Sequence, residues 1–433
     1  MICENITRNA AGTLCFGGAD VNALADKYGS PLYIMDEARI RANCRVYRTA
    51  MTKYFGENAL PLYAGKAAAF KEMYRIMQQE GMGVDVVSAG EIYTAQAAGF
   101  PMERAYFHSN NKTDDDIAFA IRCGVGHFVV DNVEELTAID RIASAAGCVQ
   151  PILLRLTPGI DPHTYEAVAT GKVDSKFGSA IETGQAAEIV SAALGCLHIR
   201  LDGFHCHVGS QVFDSDVFLR ASEIMLEFIA ETRERYGYVA QELDLGGGYG
   251  VRYTEDDPTI DIGANIAQVA ASIRAKCAEL KLPVPAIRLE PGRSIVADAG
   301  MTVYTVGTVK RIPGYKNYVS VDGGMTDNPR FALYKSKYTV LPVAEPAPDA
   351  AMMECSVVGR CCESGDIIQE HVPMPADIRR GARIAVLTTG AYNYAMASNY
   401  NRIARLPIVM VNGGADRLAV RRESLDDLIR NDL

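Results

Sequence analysis

Between about residues 61 and 294 the chain alternates short apolar runs with longer segments whose apolar positions recur at helical spacing. The runs at 60–64, 83–87, 105–108, 127–130, 152–156, 201–207, 242–245 and 286–289 read as strands. Helices are predicted between them. The segments at 90–98 and 133–145 end at the stop glycines Gly99 and Gly147, and a third at 265–280 ends near Pro283. Eight β-α units in series predict an α/β fold of the (β/α)8 TIM-like barrel type rather than an open doubly wound sheet. Beyond about Val303 the texture changes to valine, threonine, tyrosine and glycine, with a loop-like proline- and alanine-rich stretch at 342–351. Runs at 301–309, 318–321, 356–358 and 384–388 predict a C-terminal β-rich domain. A strand-like run at 31–35 is open to either domain.

The predicted strands end in chemically unlike groups: Lys66, Ser88, Asn110, Asp131, Arg155, His207, Gly246 and Glu290. In a barrel such ends share one face, where active sites are built. Lys66 is the most informative. It follows Leu62-Tyr63-Ala64-Gly65, so a lone cation closes an apolar run. A lysine partly desolvated there is a usable amine nucleophile, the property needed for a Schiff base. A strand-end lysine pointing into water is the plainer alternative for this hexapeptide alone.

At 433 residues the chain is long enough for two domains. Its net charge of −10, with no basic tract, argues against binding nucleic acid or an anionic membrane. No signal-peptide pattern and no membrane-spanning run is seen, which predicts a cytoplasmic protein. The eleven cysteines include no Cys-x-x-Cys pair and read mostly as small buried hydrophobes.

Four motifs carry the candidate chemistry. Asp244-Leu245-Gly246-Gly247-Gly248 follows the seventh run, where barrels commonly hold a phosphate on backbone N–H groups. Glu290-Pro291-Gly292-Arg293 offers a carboxylate for a ring nitrogen and a forked donor for an anion, or simply an internal ion pair. In His205-Cys206-His207-Val208-Gly209-Ser210 the two histidines share a face if the strand continues through both. A metal would need a third ligand that no spacing supplies, so no metal site is predicted, and a ring stacked on a flat cofactor is the better reading. In Cys361-Cys362-Glu363-Ser364-Gly365-Asp366 a thiol beside a carboxylate is disfavoured as thiolate and suits a proton donor. Arg330 with Tyr334, and Tyr392 ahead of Ser398-Asn399-Tyr400-Asn401, complete the polar set.

Taken in order, Tyr-Ala-x-Lys, Ser-Ala-Gly-Glu (88–91), Thr-Gly (170–171), Asp-Ser-Lys-Phe-Gly (174–178), His-Cys-His-Val-Gly-Ser-Gln, Asp-Leu-Gly-Gly-Gly, Glu-Pro-Gly-Arg, Cys-Glu-Ser-Gly-Asp and Ser-Asn-Tyr-Asn resemble the fold-type III pyridoxal-phosphate-dependent decarboxylases. The resemblance runs from about Pro31 to Val411 and is closest to members acting on meso-diaminopimelate. It implies a pyridoxal 5'-phosphate-binding barrel over 36–297, with 1–35 and 298–433 forming a β-rich domain that contributes to the substrate site and a dimer interface. Lys66 would bind the cofactor covalently, His207 would stack on its ring, and Glu290 would face the ring nitrogen. Ser210, Gly247, Gly248 and Tyr392 would hold the phosphate. Arg293, Arg330 and Tyr334 would hold the distal carboxylate of the substrate, with Tyr392 nearby, and Glu363 its distal ammonium. Cys362 would donate the proton after carbon dioxide leaves. Cys362 and Glu363 would come from the partner subunit of a homodimer. The chain departs from the family pattern at Ala68, Tyr165 and Phe331, none of them a catalytic position.

The same fold acting on ornithine, lysine, arginine or carboxynorspermidine is the nearest alternative. The relatives acting on ornithine carry Cys-Asp-Gly where this chain has Cys-Glu-Ser-Gly. A racemase, a non-catalytic cofactor-binding regulator and a phosphate-sugar barrel are further rivals. The regulator reading is weakened by the presence of both Lys66 and Cys362, and the sugar-phosphate barrel leaves the second domain unexplained.

Overall fold

The computed structural model describes residues 2–160 and 175–433. They form two compact units: Cys44–Gly250 with Thr259–Gly292, and Met1–Asn43 with Val251–Pro258 and Arg293–Leu433. The family-motif residues Thr170, Gly171 and Asp174, and the departure at Tyr165, lie outside the described residues.

The first unit is a closed barrel of eight parallel strands. They are β1 (Leu60–Ala64), β2 (Gly83–Val86), β3 (Ala105–Phe107), β4 (His127–Val130), β5 (Gln150–Thr157), β6 (Ile199–His205), β7 (Glu242–Asp244) and β8 (Ala286–Leu289). Neighbours pair in chain order, and β8 returns to β1 through Arg288↔Leu60 and Leu289↔Pro61. A ring of this kind has no edge, so runs buried on both sides read as continuous apolar stretches. Leu62, Tyr106, Val129 and Leu153 form one buried cluster from four of these strands.

Helix boundaries follow local chemistry. α1 (Ala89–Ala97) starts where the Ser88 side chain accepts from the Glu91 N–H, and the chain turns at Gly99 with φ +82°. α2 (Val133–Ala146) is capped by Asn132 and stops at Gly147 in the left-handed region, as predicted. α3 (Ile262–Leu280) begins earlier than the apolar spacing indicates. The Asp261 carboxylate accepts from Ala264 N–H and so caps an extra turn over 262–264, and the helix ends at Lys281 rather than at a glycine.

In the second unit, β9 (Gly300–Ile312) is long enough to serve two sets of partners. Its first half pairs with Leu32–Asp36 and with β13 (Arg383–Leu387); its second half pairs with β10 (Lys316–Val321). β11 (Met352–Val358), β12 (Ile367–Pro375) and β14 (Ile408–Asn412) extend the sheet. Leu32–Asp36, which the pattern left open, lies between β9 and β14 and packs Leu32 and Ile34 against Met301, Val303, Leu387 and Val409. Only tertiary pairing settles that strand's domain. Among the described residues no helix is long and apolar enough to cross a membrane.

Candidate active site

The carboxyl ends of the barrel strands bring together most of the residues named from the sequence. β1 runs out at Ala64 and a single 3₁₀ turn, Gly65–Ala67, carries Lys66. Gly65 is needed there, because a Cβ would come within 3.0 Å of both the Asp85 carbonyl and the Tyr74 hydroxyl. The turn lifts Lys66 beyond the strand, so its side chain keeps 44% exposure instead of the desolvation that the apolar run predicted. The amine is matched by charge: Nζ lies 3.7 Å from Oδ2 of Asp85, a buried residue of β2. Burial pushes the Asp85 carboxyl up, while His108 and Lys66 pull it back. Neither Asp85 oxygen accepts a hydrogen bond among the described residues.

Glu290, just past β8, is bracketed by two imidazoles. His108 Nε2 lies 2.7 Å from one carboxylate oxygen, and His205 Nε2 lies 3.2 Å from the other. Burial alone would raise this carboxyl, but the two histidines hold it well below the usual carboxylate range. The donor atoms of His108, His205 and Glu290 fall within 4.8 Å of one another, a grouping that leaves out His207 and draws its other two members from the ends of two other strands. In this arrangement the three groups engage each other.

β6 ends at His205, so His205 and His207 do different work rather than sharing one strand face. His207 Nδ1 accepts the Gly247 N–H over 3.2 Å, which leaves any ring proton on Nε2. Burial, with Lys66 and Arg155 nearby, holds His207 well below the ordinary imidazole range, so the ring is uncharged. The glycine run is forced by crowding. A Cβ at Gly247 would overlap the Glu290 carbonyl, and one at Gly248 would sit 2.5 Å from the Gly209 carbonyl oxygen. Gly246 and Gly248 have φ of +67° and +127°. The Gly246 N–H donates to Asp244 and that of Gly247 to His207, whereas the Gly248 N–H donates to nothing among the described residues. Ser210 is half-buried in the neighbouring loop, next to Gln211 at φ +60°.

The pH dependence follows from these imidazoles. Burial lowers His205 as well as His207, so the unfolded chain binds protons that the folded barrel refuses. Their contribution to stability is therefore present above about pH 6.5 and is lost as pH falls below it. Asp85 and Asp244, raised by burial, act with the opposite sign. Comparison with His207→Asn isolates the histidine contribution. The gap in urea midpoint between parent and variant is expected to change between about pH 7.5 and pH 5.5, with the parent losing more. A gap independent of pH would contradict it.

The β-rich unit carries the other set. Arg293 opens the short helix α4 (Arg293–Val296), and Arg330 opens α5 (Arg330–Tyr334). Both guanidiniums are buried and both donate to the Tyr253 hydroxyl, over 2.8 and 3.1 Å. Arg293 also lies 4.8 Å over the Tyr392 ring, and Tyr392 adopts φ +60°. Arg330 pairs with no carboxylate among the described residues. Tyr334 does not join it. That side chain is exposed at the far end of α5, and the hydroxyls that meet Arg330 are those of Tyr253 and Tyr338.

Cys361 and Cys362 also part company. The Asp366 carboxylate accepts from the Cys361 and Met325 N–H groups, over 2.7 and 2.6 Å, and burial together with Asp366 pushes the Cys361 thiol up to about 12. The carboxylate-suppressed thiol is thus Cys361. Cys362 is exposed, its N–H bound to Asn401 Oδ1 at 2.8 Å, and Glu363 is exposed beside it.

This donor set fits pyridoxal 5'-phosphate: an amine beside a buried carboxylate, an uncharged imidazole, an ionised glutamate, and a glycine cradle with an uncommitted N–H. The chain belongs to the pyridoxal-dependent decarboxylases; the family's pyridoxal-binding domain matches residues 37–297. It is 42% identical to the diaminopimelate decarboxylase of Bacillus subtilis over 98% of this chain and 96% of that one. It is 40% identical to the Staphylococcus aureus diaminopimelate decarboxylase, covering 98% of each. A solved M. jannaschii diaminopimelate decarboxylase in complex with L-lysine superposes with a TM-score of 0.92 at 31% identity, covering 99% of this chain and 98% of that one.

Sequence reading missed Asp85, His108, Tyr253 and Tyr338. Asp85 had the same signal as Lys66, a lone charge in an apolar run. His108 stood at the end of a predicted strand, while Tyr253 lies in a loop without periodicity.

Proposed function

We propose that this protein catalyses decarboxylation of meso-2,6-diaminopimelate to L-lysine and carbon dioxide, the last step of lysine biosynthesis, as a cytoplasmic homodimer. The observation that carries the substrate is Arg330: a buried guanidinium that among the described residues bonds only to tyrosine hydroxyls calls for an anion, which a distal carboxylate supplies. Ornithine, with a bare distal amine, would leave that charge unpaired.

Pyridoxal phosphate supplies, when bound, a ring that accepts the electron pair left as the carboxylate departs. Lys66 is the amine that holds it covalently, with Asp85 as its counter-charge. His207, kept neutral, offers an aromatic face for stacking. Glu290, kept ionised by His108 and His205, holds a proton on the ring nitrogen. Ser210, Gly247, Gly248 and Tyr392 hold the phosphate; since the Gly247 N–H is committed to His207, Gly248 is the stronger backbone donor. Arg293 and Arg330 receive the distal carboxylate, and Glu363 the distal ammonium; Tyr334, exposed at the far end of α5, takes no part. Cys362 gives its proton to the carbon that lost carbon dioxide. The exposure of Cys362 and Glu363 suits residues that serve a partner subunit's site.

The test is carbon dioxide release by the cofactor-loaded protein offered meso-diaminopimelate, L-ornithine, L-lysine and L-arginine separately. Release from diaminopimelate alone is expected. Faster release from a diamino monocarboxylate would move the specificity to the neighbouring decarboxylases.

A further inference from the structure

Arg293 and Arg330 are each only 6% exposed, yet they converge on one neutral oxygen. Tyr253 accepts from Arg293 Nη1 at 2.8 Å and from Arg330 Nη1 at 3.1 Å. Tyr338 accepts from Arg330 Nη1 at 3.1 Å and, more weakly, from Asn393 Nδ2 at 3.4 Å. A phenolic oxygen has two lone pairs to offer and one hydrogen to give. At both tyrosines the lone pairs are taken, and among the described residues neither hydroxyl donates to any group. The two rings are buried and packed edge to face, with centroids 5.3 Å apart, so the hydroxyls cannot swing out to water. Thr339 Oγ1 donates to the Tyr253 carbonyl at 2.8 Å and steadies that loop. The Tyr253 and Tyr338 hydroxyls and the Arg330 guanidinium are thus donors that meet no anionic acceptor among the described residues, which suits an anion and rejects a cation.

We infer that Tyr253 and Tyr338 are specificity-determining residues that donate their phenolic hydrogens to the distal carboxylate of the amino-acid substrate, beside Arg293 and Arg330; this rests on the activity proposed above. Burial by itself would raise the Tyr253 phenol, but the two guanidiniums more than offset it, which makes that O–H the stronger donor. The arrangement also explains why a tyrosine in a pattern-free loop after Gly250 matters: Val251–Pro258 folds with the unit that holds both arginines.

The test compares Tyr253→Phe and Tyr338→Phe holoenzymes with the parent. The readouts are KM and kcat for meso-diaminopimelate and the inhibition constant of cadaverine, which lacks both carboxylates. Loss of a hydrogen bond to a charged group is expected to raise KM about tenfold or more, with kcat moving less and cadaverine inhibition staying within about twofold. An unchanged KM, or equal losses for diaminopimelate and cadaverine, overturns the inference.

Tyr253→Phe also strips an acceptor from two buried cations, so a second variant separates donation from support. With 3,5-difluorotyrosine at position 253 the acceptor stays, and the phenol loses its hydrogen at lower pH. The alkaline rise in KM is expected to move to lower pH. Arg293, Arg330 and Tyr338 are the charged or titratable groups facing that hydroxyl. The guanidiniums stay charged, and Tyr338→Phe in the same background assigns the limb. A limb that does not move overturns the inference. A parent enzyme active on diaminopimelate with indifferent hydroxyl variants removes this inference alone. A parent that releases no carbon dioxide from diaminopimelate removes the proposed activity and the inference with it.

Discussion

Replacement of Lys66 by alanine is expected to lower kcat by at least about 10³-fold, the scale on which loss of a covalent catalytic group is felt. The side chain sits on a one-step turn, 44% exposed, with its amine 3.7 Å from Asp85. Its removal empties little packed volume, so the unfolding midpoint of the cofactor-free variant should stay near that of the parent. The loss would then be chemical. Borohydride should fix the cofactor to a Lys66-containing peptide in the parent and to no peptide in the variant. Turnover within about tenfold of the parent would place the reactive amine elsewhere.

Arg330→Met should have the next largest effect. Methionine fills much of the same volume but gives up the bonds to Tyr253 and Tyr338 and the only charge that α5 contributes to this cluster. Two charge-assisted bonds to a carboxylate, each worth about 1.5–3 kcal/mol, put the expected fall in kcat/KM for meso-diaminopimelate near 10³-fold. Cadaverine inhibition should hardly change, because the diamine never used the cation. An unchanged kcat/KM would mean that the distal carboxylate lies elsewhere, and Arg293 would be next to examine.

The barrel was legible because its strands are buried on both sides and so stand out as apolar runs. β1, β4 and β8 match the predicted spans to the residue. The rim chemistry was legible where a reactive group broke such a run, as Lys66 does, or followed one, as Glu290 does. Charge neutralisation was not legible. Nothing local couples Lys66 to Asp85 on the next strand, or Glu290 to His108 on a strand far away in sequence, and those neighbours pull both carboxyls down against burial. The desolvation expected of Lys66 did not hold, because the 3₁₀ turn exposes what the strand pattern would bury. Tyr334 was placed beside Arg330 by sequence distance, whereas Tyr253 and Tyr338 occupy that place through a loop contact and a following residue. The thiol carrying the carboxylate effect was displaced by one position, since Asp366 folds back on Cys361 rather than Cys362.

The most direct test of the central claim supplies the cofactor-loaded protein with meso-diaminopimelate carrying ¹³C in the carboxyl group at its D-centre. Labelled carbon dioxide and unlabelled L-lysine in equal amounts are predicted. Label retained in the amino-acid product, or no carbon dioxide at all, would contradict it.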